Sequence, residues 1–379
     1  SPERWRRLKE LFGEALERSG EARAAFVREA CADDEGLRAE LEGLLSAHEG
    51  AGSFLELAAP GAGSGAAPEP APAGRIGPYR VVRELGHGGM GTVWLGERDD
   101  EAFRRLVAIK VVRRGMDHEA VVARFRNERQ ILADLAHPNI ATLIDGGTTG
   151  DGLPYFVMEY IEGQPIDAFC DARRLDVARR IELLLPVCAA VGYANARQVV
   201  HRDIKPGNVL VTAEGVPKLL DFGLARLLDP GGASQQTTAA FHFLTPAFAS
   251  PEQIAGGTIG PASDVWSLGA LLYALLTGRR PREVAGGPDA FRADRSPTRP
   301  SEAALRRPVE GEAPEAPAAL RECTPERLRD RLAGDLDAIL LKALDPDPAR
   351  RYRSADDLAE DLRRHLAGRR IAARRARGR

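Results

Sequence analysis

Lysine is nearly missing from this chain. Of 53 basic residues among 379, only Lys9, Lys110, Lys205, Lys218 and Lys342 are lysine. Arginine serves everywhere else, so each lysine marks a position where a compact ammonium suits better than a planar fork. Cysteine is as sparse: Cys31, Cys170, Cys188 and Cys323 lie far apart with no CxxC pair. That excludes a clustered zinc site or a disulfide framework and fits a reducing, cytosolic compartment. No apolar run is long enough to span a bilayer, so the sequence reads as soluble. A formal net charge of -2 leaves no global basic field for nucleic acid. There is no signal peptide, and a start at Ser1 without Met is expected of a piece of a longer protein. The length is too great for one ordinary core and predicts two or three domains.

Residues 1–55 read as a helical segment. Trp5, Leu8, Phe12, Ala15 and Leu16 share one face, followed by Phe26, Val27 and Ala30, then by Leu37, Leu41, Leu44 and Leu45. Ser19-Gly20 and Asp33-Asp34 break the pattern into three short helices. Their stripes must be buried against one another, the rest of the chain or a partner, and they carry no chemistry. Residues 56–77, rich in Ala, Pro and Gly, read as a linker.

From Tyr79 the pattern turns to strands. Tyr79 to Leu85 leads into Gly86-His87-Gly88-Gly89-Met90-Gly91-Thr92-Val93, and Leu106 to Val112 follows. A lone GxGxxG is weak evidence, and its dinucleotide form should run from strand to helix. Here both flanks are strands, and glycines 86, 88 and 91 let backbone amides approach phosphate. Period two puts Ala108, Lys110 and Val112 on one strand face. A strand lysine is usually a snorkelling surface residue. In the next helical stripe, however, Glu128 sits among Val121, Phe125, Leu132 and Leu135. A buried acid needs a partner, and Lys110 is the candidate.

The strongest string is His201-Arg202-Asp203-Ile204-Lys205-Pro206-Gly207-Asn208-Val209-Leu210-Val211. Asp203 can orient or accept a hydroxyl proton, Lys205 can neutralise a transferring phosphoryl group, and Asn208 can give a metal an amide oxygen. Either polar residue alone would more often serve a surface turn. Asp221-Phe222-Gly223, common by itself in turns, follows at a spacing that sets Asp221 opposite Asn208 as a second hard oxygen.

Taken together these strings resemble the eukaryotic-like (Hanks-type) serine/threonine protein kinases of bacteria. The resemblance implies an α+β, bilobal protein kinase fold over residues 78–366, with a small β-rich N-lobe (78–161) and a larger helical C-lobe (162–366). The helical segment precedes it and an Arg-rich tail (367–379) follows. It implies transfer of the ATP gamma phosphoryl to protein Ser/Thr hydroxyls in signal transduction, with Mg2+ as the metal and Mn2+ as the alternative. Asp203, Lys205, Lys110 and Glu128 are its catalytic set, and Asn208 and Asp221 its metal ligands. ATP would lie against Leu85, Gly86, His87, Gly88, Gly89, Met90, Gly91, Val93, Ala108, Lys110, Met158, Glu159, Ile161 and Leu210. His137 to Ile140 with Leu143 resemble the next strand, and Leu175 to Ala196 a long helix leading to the loop.

Further along, Thr245 to Glu252 resembles the segment that receives the substrate peptide, with Leu244 and Phe248 departing from the common Gly and Tyr. Asp264 would hold the catalytic-loop backbone, Glu252 would pair with Arg351, and residues 279–325 read as an irregular insertion. Thr237 or Thr238 is the expected activating phosphosite. Partners would be protein substrates and, for phosphorylation in trans, a second copy of the chain. Six arginines in the last eleven residues suggest the cytoplasmic flank of an inner-membrane helix further on, the alternative being a solvated tail. A small-molecule phosphotransferase would not need residues 245–252, and a pseudokinase scaffold usually lacks the lysine or one of the two aspartates, all present here.

Overall fold

A computed structural model of the chain describes residues 74–88, 91–100, 103–112, 135–222, 247–281, 297–306 and 317–374, together with parts of 7–45. Within that first part lies helix α1 (Gly20–Ala30). Leu11, Ala15, Val27, Cys31, Leu37, Leu41 and Leu45 are buried in a cluster of their own. The helical stripes therefore bury one another. Trp5, Leu8, Leu16 and Leu44 lie outside the described residues.

Alternating side chains govern the next part. Strands β1 (Arg75–Ile76), β2 (Tyr79–Gly88), β3 (Gly91–Asp100), β4 (Phe103–Val112), β5 (Leu143–Thr148) and β6 (Pro154–Glu159) form an antiparallel sheet in the order β1-β2-β3-β4-β6-β5. Register decides which residues face which way, because directly opposed residues share a face. Trp94 opposes Ile109, which opposes Val157; with Ile76, Tyr79, Val107, Val111, Leu153 and Tyr155 they close the outer core. On the other face Leu95, Ala108 and Met158 line up, as do Val93, Lys110 and Phe156. That face is the roof of a cleft. The sheet begins earlier than the sequence suggested: β1 lies inside the stretch assigned to the linker, held because Ile76 is buried and pairs with Tyr79. His137 to Ile140 form a turn and not a strand; only Ile140 bridges, to Leu219.

Helical periodicity takes over after Glu159. The second lobe contains β7 (Gly163–Pro165), α2 (Ile166–Ala172), α3 (Val177–Asn195), β8 (Val209–Thr212), β9 (Pro217–Leu219), α4 (Pro251–Ala255) and α5 (Pro261–Thr277). It continues with α6 (Pro300–Ala303), α7 (Pro325–Leu332), α8 (Asp335–Ala343) and α9 (Ala355–Leu366). Asp176 caps α3 by accepting from Arg179 N–H, and Ser354 caps α9 by accepting from Asp357 N–H. Helix α5 is apolar nearly all round and is correspondingly buried, Trp266, Leu268, Leu271 and Leu272 included. It ends at Gly278, whose φ of 70° terminates the helix in the left-handed region.

Two boundaries move. Residues 279–325 are not wholly irregular: α6 is tied down by Ser301, whose N–H and hydroxyl donate to Asp337. The following short turn is pinned by buried Arg321, which donates to the carbonyls of Leu275 and Leu276 at the end of α5. Past Leu366 the chain still packs: Ile371 and Ala373 are buried, and Asp361 accepts from the N–H groups of Ala372 and Ala373. The Arg-rich tail is thus part of the lobe as far as Arg374, whose guanidinium meets Asp335 at 2.8 Å. Among the described residues no helix is long and apolar enough to cross a membrane.

Candidate active site

One hairpin brings the Asn208 and Asp221 segments together. Strands β8 and β9 pair antiparallel with Val209 opposite Leu219. Asn208 immediately precedes β8 and Leu220 immediately follows β9, so they are neighbours. Leu220 N–H donates to the Asn208 carbonyl at 2.9 Å. Asp221 comes next, at a φ of 60°. That left-handed backbone is uncommon outside glycine, and aspartate is among the few residues that tolerate it. The Leu220 carbonyl is in turn 2.8 Å from His201 Nε2, and Asp203 N–H donates to His201 Nδ1 at 3.2 Å. With Nδ1 accepting from a backbone N–H, Nε2 is the end that meets the Leu220 carbonyl, so the ring joins residues 201–203 to the strand before Asp221. Phe222 stacks edge-on against the same ring, centroids 4.6 Å apart.

Within the loop, Asn208 Nδ2 donates to the Asp203 carbonyl at 2.7 Å and to its Oδ2 at 2.9 Å. Lys205 Nζ lies 2.9 Å from the same Oδ2. These contacts fix the Asp203 carboxylate and occupy the nitrogen end of the Asn208 amide, leaving the oxygen end as the one suited to a hard cation. The donor set, one amide oxygen and the Asp221 carboxylate, fits a divalent ion that takes its remaining ligands from phosphate and water. Beneath the loop, buried Asp264 on α5 accepts from the N–H groups of His201 (2.9 Å) and Arg202 (3.0 Å) and from Asn195 Nδ2 (2.9 Å). Arg202 is held there at a φ of 73°. The scaffold role expected for Asp264 is therefore observed.

Across the cleft, Lys110 is 7 % exposed and its ammonium lies 2.5 Å from Asp221 Oδ2. The partner expected from sequence, Glu128, lies outside the described residues, as do Gly89, Met90, Thr237, Thr238, Leu244 and Thr245. Val93 and Ala108 share the roof face with Lys110, and buried Met158 opposes Ala108. Leu85, Gly86 and Gly88 lie in β2, and Gly91 opens β3 at a φ of 142°, where a Cβ would strike the Val111 carbonyl. His87 contributes only backbone to the cleft: it opposes Thr92 on the outer face, and its ring pairs with Glu84 at 2.9 Å. Ile161 is buried just past β6, and Leu210 is half-buried in β8 opposite Pro165.

Lys218, a lysine with no role expected from sequence, has its ammonium 2.9 Å and 3.1 Å from the two carboxylate oxygens of Glu159. It ties the end of β6 to β9. Neither Cys170 nor Cys188 competes as a nucleophile, since burial pushes both thiols up to about 12.

The peptide-side segment is also anchored. Phe248 is buried and its carbonyl accepts from Ser267 Oγ at 3.0 Å. Glu252 receives both arms of Arg351, at 2.7 Å and 2.8 Å, as the family resemblance implied. Sequence reasoning missed Gln253, whose Nε2 donates to the Arg202 carbonyl at 2.7 Å. Its signal was present: Ser250-Pro251-Glu252-Gln253 is a capping box, and the structure forms it.

With this geometry established, a family described as "protein kinase domain" matches residues 79–362. A probable serine/threonine-protein kinase of Streptomyces coelicolor is 36 % identical over 308 residues, 80 % of this chain and 42 % of the relative. Serine/threonine-protein kinase PknB of Mycobacterium tuberculosis is 36 % identical over 289 residues, 75 % of this chain and 42 % of its own length. The chain thus spans about two fifths of these curated relatives. The crystal structure of the M. tuberculosis PknI kinase domain superposes with a TM-score of 0.55 at 26 % identity, covering 79 % of this chain and 100 % of that one.

Proposed function

The chain belongs to the protein kinase domain family, and from that premise we propose that it transfers the gamma phosphoryl group of ATP to serine and threonine hydroxyls of proteins, itself included, in bacterial signal transduction. The observation that carries the reading is the joining of Asp203, Lys205 and Asn208 in one hydrogen-bonded loop beside the Lys110–Asp221 pair. Asp203 orients the acceptor hydroxyl and takes its proton as the oxygen bonds to the gamma phosphorus and the bond to the ADP oxygen breaks. Lys205 sets its ammonium against the charge spread over the transferring group. Lys110 sets its ammonium against the alpha and beta phosphates. Asn208 and Asp221 would hold Mg2+, whose charge offsets that of the phosphate oxygens. The anchoring of residues 247–253 to the catalytic loop favours a protein substrate over a small molecule.

Asp203→Asn keeps the size of the side chain and its backbone contacts while removing the base. Phosphoryl transfer should fall roughly 10²- to 10⁴-fold, with affinity for ATP unchanged. Steady-state rates with a basic protein substrate check this, and wild-type turnover in the variant would remove Asp203 from the role.

Activation rests on the segment beyond Gly223. Residues 229–240 are small, polar and glycine-bearing, and a phosphothreonine at Thr237 or Thr238 brings about two negative charges near Arg202. Two copies of the chain would phosphorylate one another there. Mass spectrometry should find phosphate within residues 229–245 of active protein, and the Thr237→Ala, Thr238→Ala double variant should be poorly active. Full activity in that variant with no phosphate in the segment contradicts the mechanism.

A further inference from the structure

The catalytic loop and the peptide-side segment hang from the same helix. Asp264 of α5 grips the N–H groups of His201 and Arg202, and Ser267, one turn on, holds the Phe248 carbonyl. Between these two suspended segments there is a direct cross-link. Gln253 Oε1 accepts from Ser250 N–H at 2.9 Å and from Ser250 Oγ at 3.0 Å, while its Nε2 donates to the Arg202 carbonyl at 2.7 Å. Gln253 is 5 % exposed and Ser250 fully buried.

The amide does both jobs at once, its oxygen accepting and its nitrogen donating. Arg202 gains most from it. Its φ of 73° is costly for a residue with a Cβ, and its backbone is held on both sides: N–H by Asp264, carbonyl by Gln253. Asp203 is the next residue, so any relaxation of Arg202 re-aims the carboxylate. A shift of that size at a reacting group matters, because about 1 Å of misplacement can cost on the order of 10²-fold in rate.

We propose that Gln253 is a positioning residue that sets the catalytic carboxylate against the bound peptide by locking the peptide-side segment to the Arg202 carbonyl. This rests on the kinase reading above. The side-chain hydrogen bonds of Gln253 go to Ser250 and Arg202, so its effect should appear in kcat and in KM for the protein substrate and leave ATP binding alone.

Two variants test it. Gln253→Glu keeps the acceptor for Ser250 but loses the donor to Arg202, and Gln253→Leu loses both. Each is compared with wild type and with Asp203→Asn for kcat, for KM of a protein substrate, for ATP affinity by titration calorimetry and for thermal midpoint. Expected is a fall in kcat of about 10- to 100-fold in Gln253→Glu, with ATP affinity near wild type and the fold retained at the assay temperature, and at least as large a fall in Gln253→Leu. Wild-type kcat in Gln253→Glu overturns the proposal. So does a kcat loss matched by lost ATP affinity or lost folding in both variants, which would mark a packing residue. If wild-type protein itself transfers no phosphate, it is the kinase reading that fails.

Discussion

Asp221→Asn and Lys110→Met should each abolish phosphoryl transfer and leave the fold standing. Asp221 occupies a left-handed backbone conformation at a φ of 60°, and asparagine is among the few residues that adopt it readily. The segment stays in place through Leu220, held by Asn208 and His201. What changes is charge: the carboxylate oxygen that suits a divalent ion is lost, and so is the partner 2.5 Å from the Lys110 ammonium. Methionine at 110 keeps the apolar stem against the sheet and removes the ammonium alone. Circular dichroism melting beside single-turnover assays separates the two effects. Measurable turnover in either folded variant contradicts the assignment.

Arg351→Ala should destabilise the C-lobe by about 3–5 kcal/mol, the cost of leaving a buried charge without its partner. The Arg351 side chain is wholly buried, both its arms engage Glu252, and it donates besides to the carbonyls of Asp345 and Ala262. Burial by itself pushes the Glu252 carboxyl up. The hydrogen bonds from Arg351 and from Ser263 Oγ, at 2.6 Å, outweigh it and hold the carboxyl below its ordinary value of 4.5. A group depressed in the folded state contributes stability that is present above its unfolded value and is lost as pH falls through the folded one. The stability gap between wild type and Glu252→Gln, measured by urea denaturation, is therefore full at neutral pH and closes on acidification below the glutamate range. A gap independent of pH would contradict the linkage.

Motifs with fixed spacing were legible in the sequence because the chemistry fixes it. Asp203, Lys205 and Asn208 fall within six residues, and the hairpin that returns Asp221 to them needs only the pairing of Val209 with Leu219. The reciprocal pair Glu252 and Arg351 was found across 99 residues only through the family resemblance. Buried arginines were not legible. Arg180 is fully buried and donates to the carbonyls of Leu175, Leu275 and Leu320, yet in a chain that uses arginine on every surface nothing sets it apart. Short segments held by tertiary contacts were missed for a related reason. β1 has two residues, and the stretch at Ile371 and Ala373 has no period of its own; both are ordered by what they pack against. Lysine scarcity was the better guide, since Lys110, Lys205 and Lys218 all lie in contact with the carboxylates that frame the cleft.

The most direct test of the account incubates the protein with Mg2+, gamma-labelled ATP and a basic acceptor protein, beside Asp203→Asn and Asp221→Asn, followed by phosphoamino-acid analysis. The account predicts label on phosphoserine and phosphothreonine from wild type, strongly reduced in the first variant and absent in the second. Equal label in all three, or none from wild type purified in folded form, would contradict it.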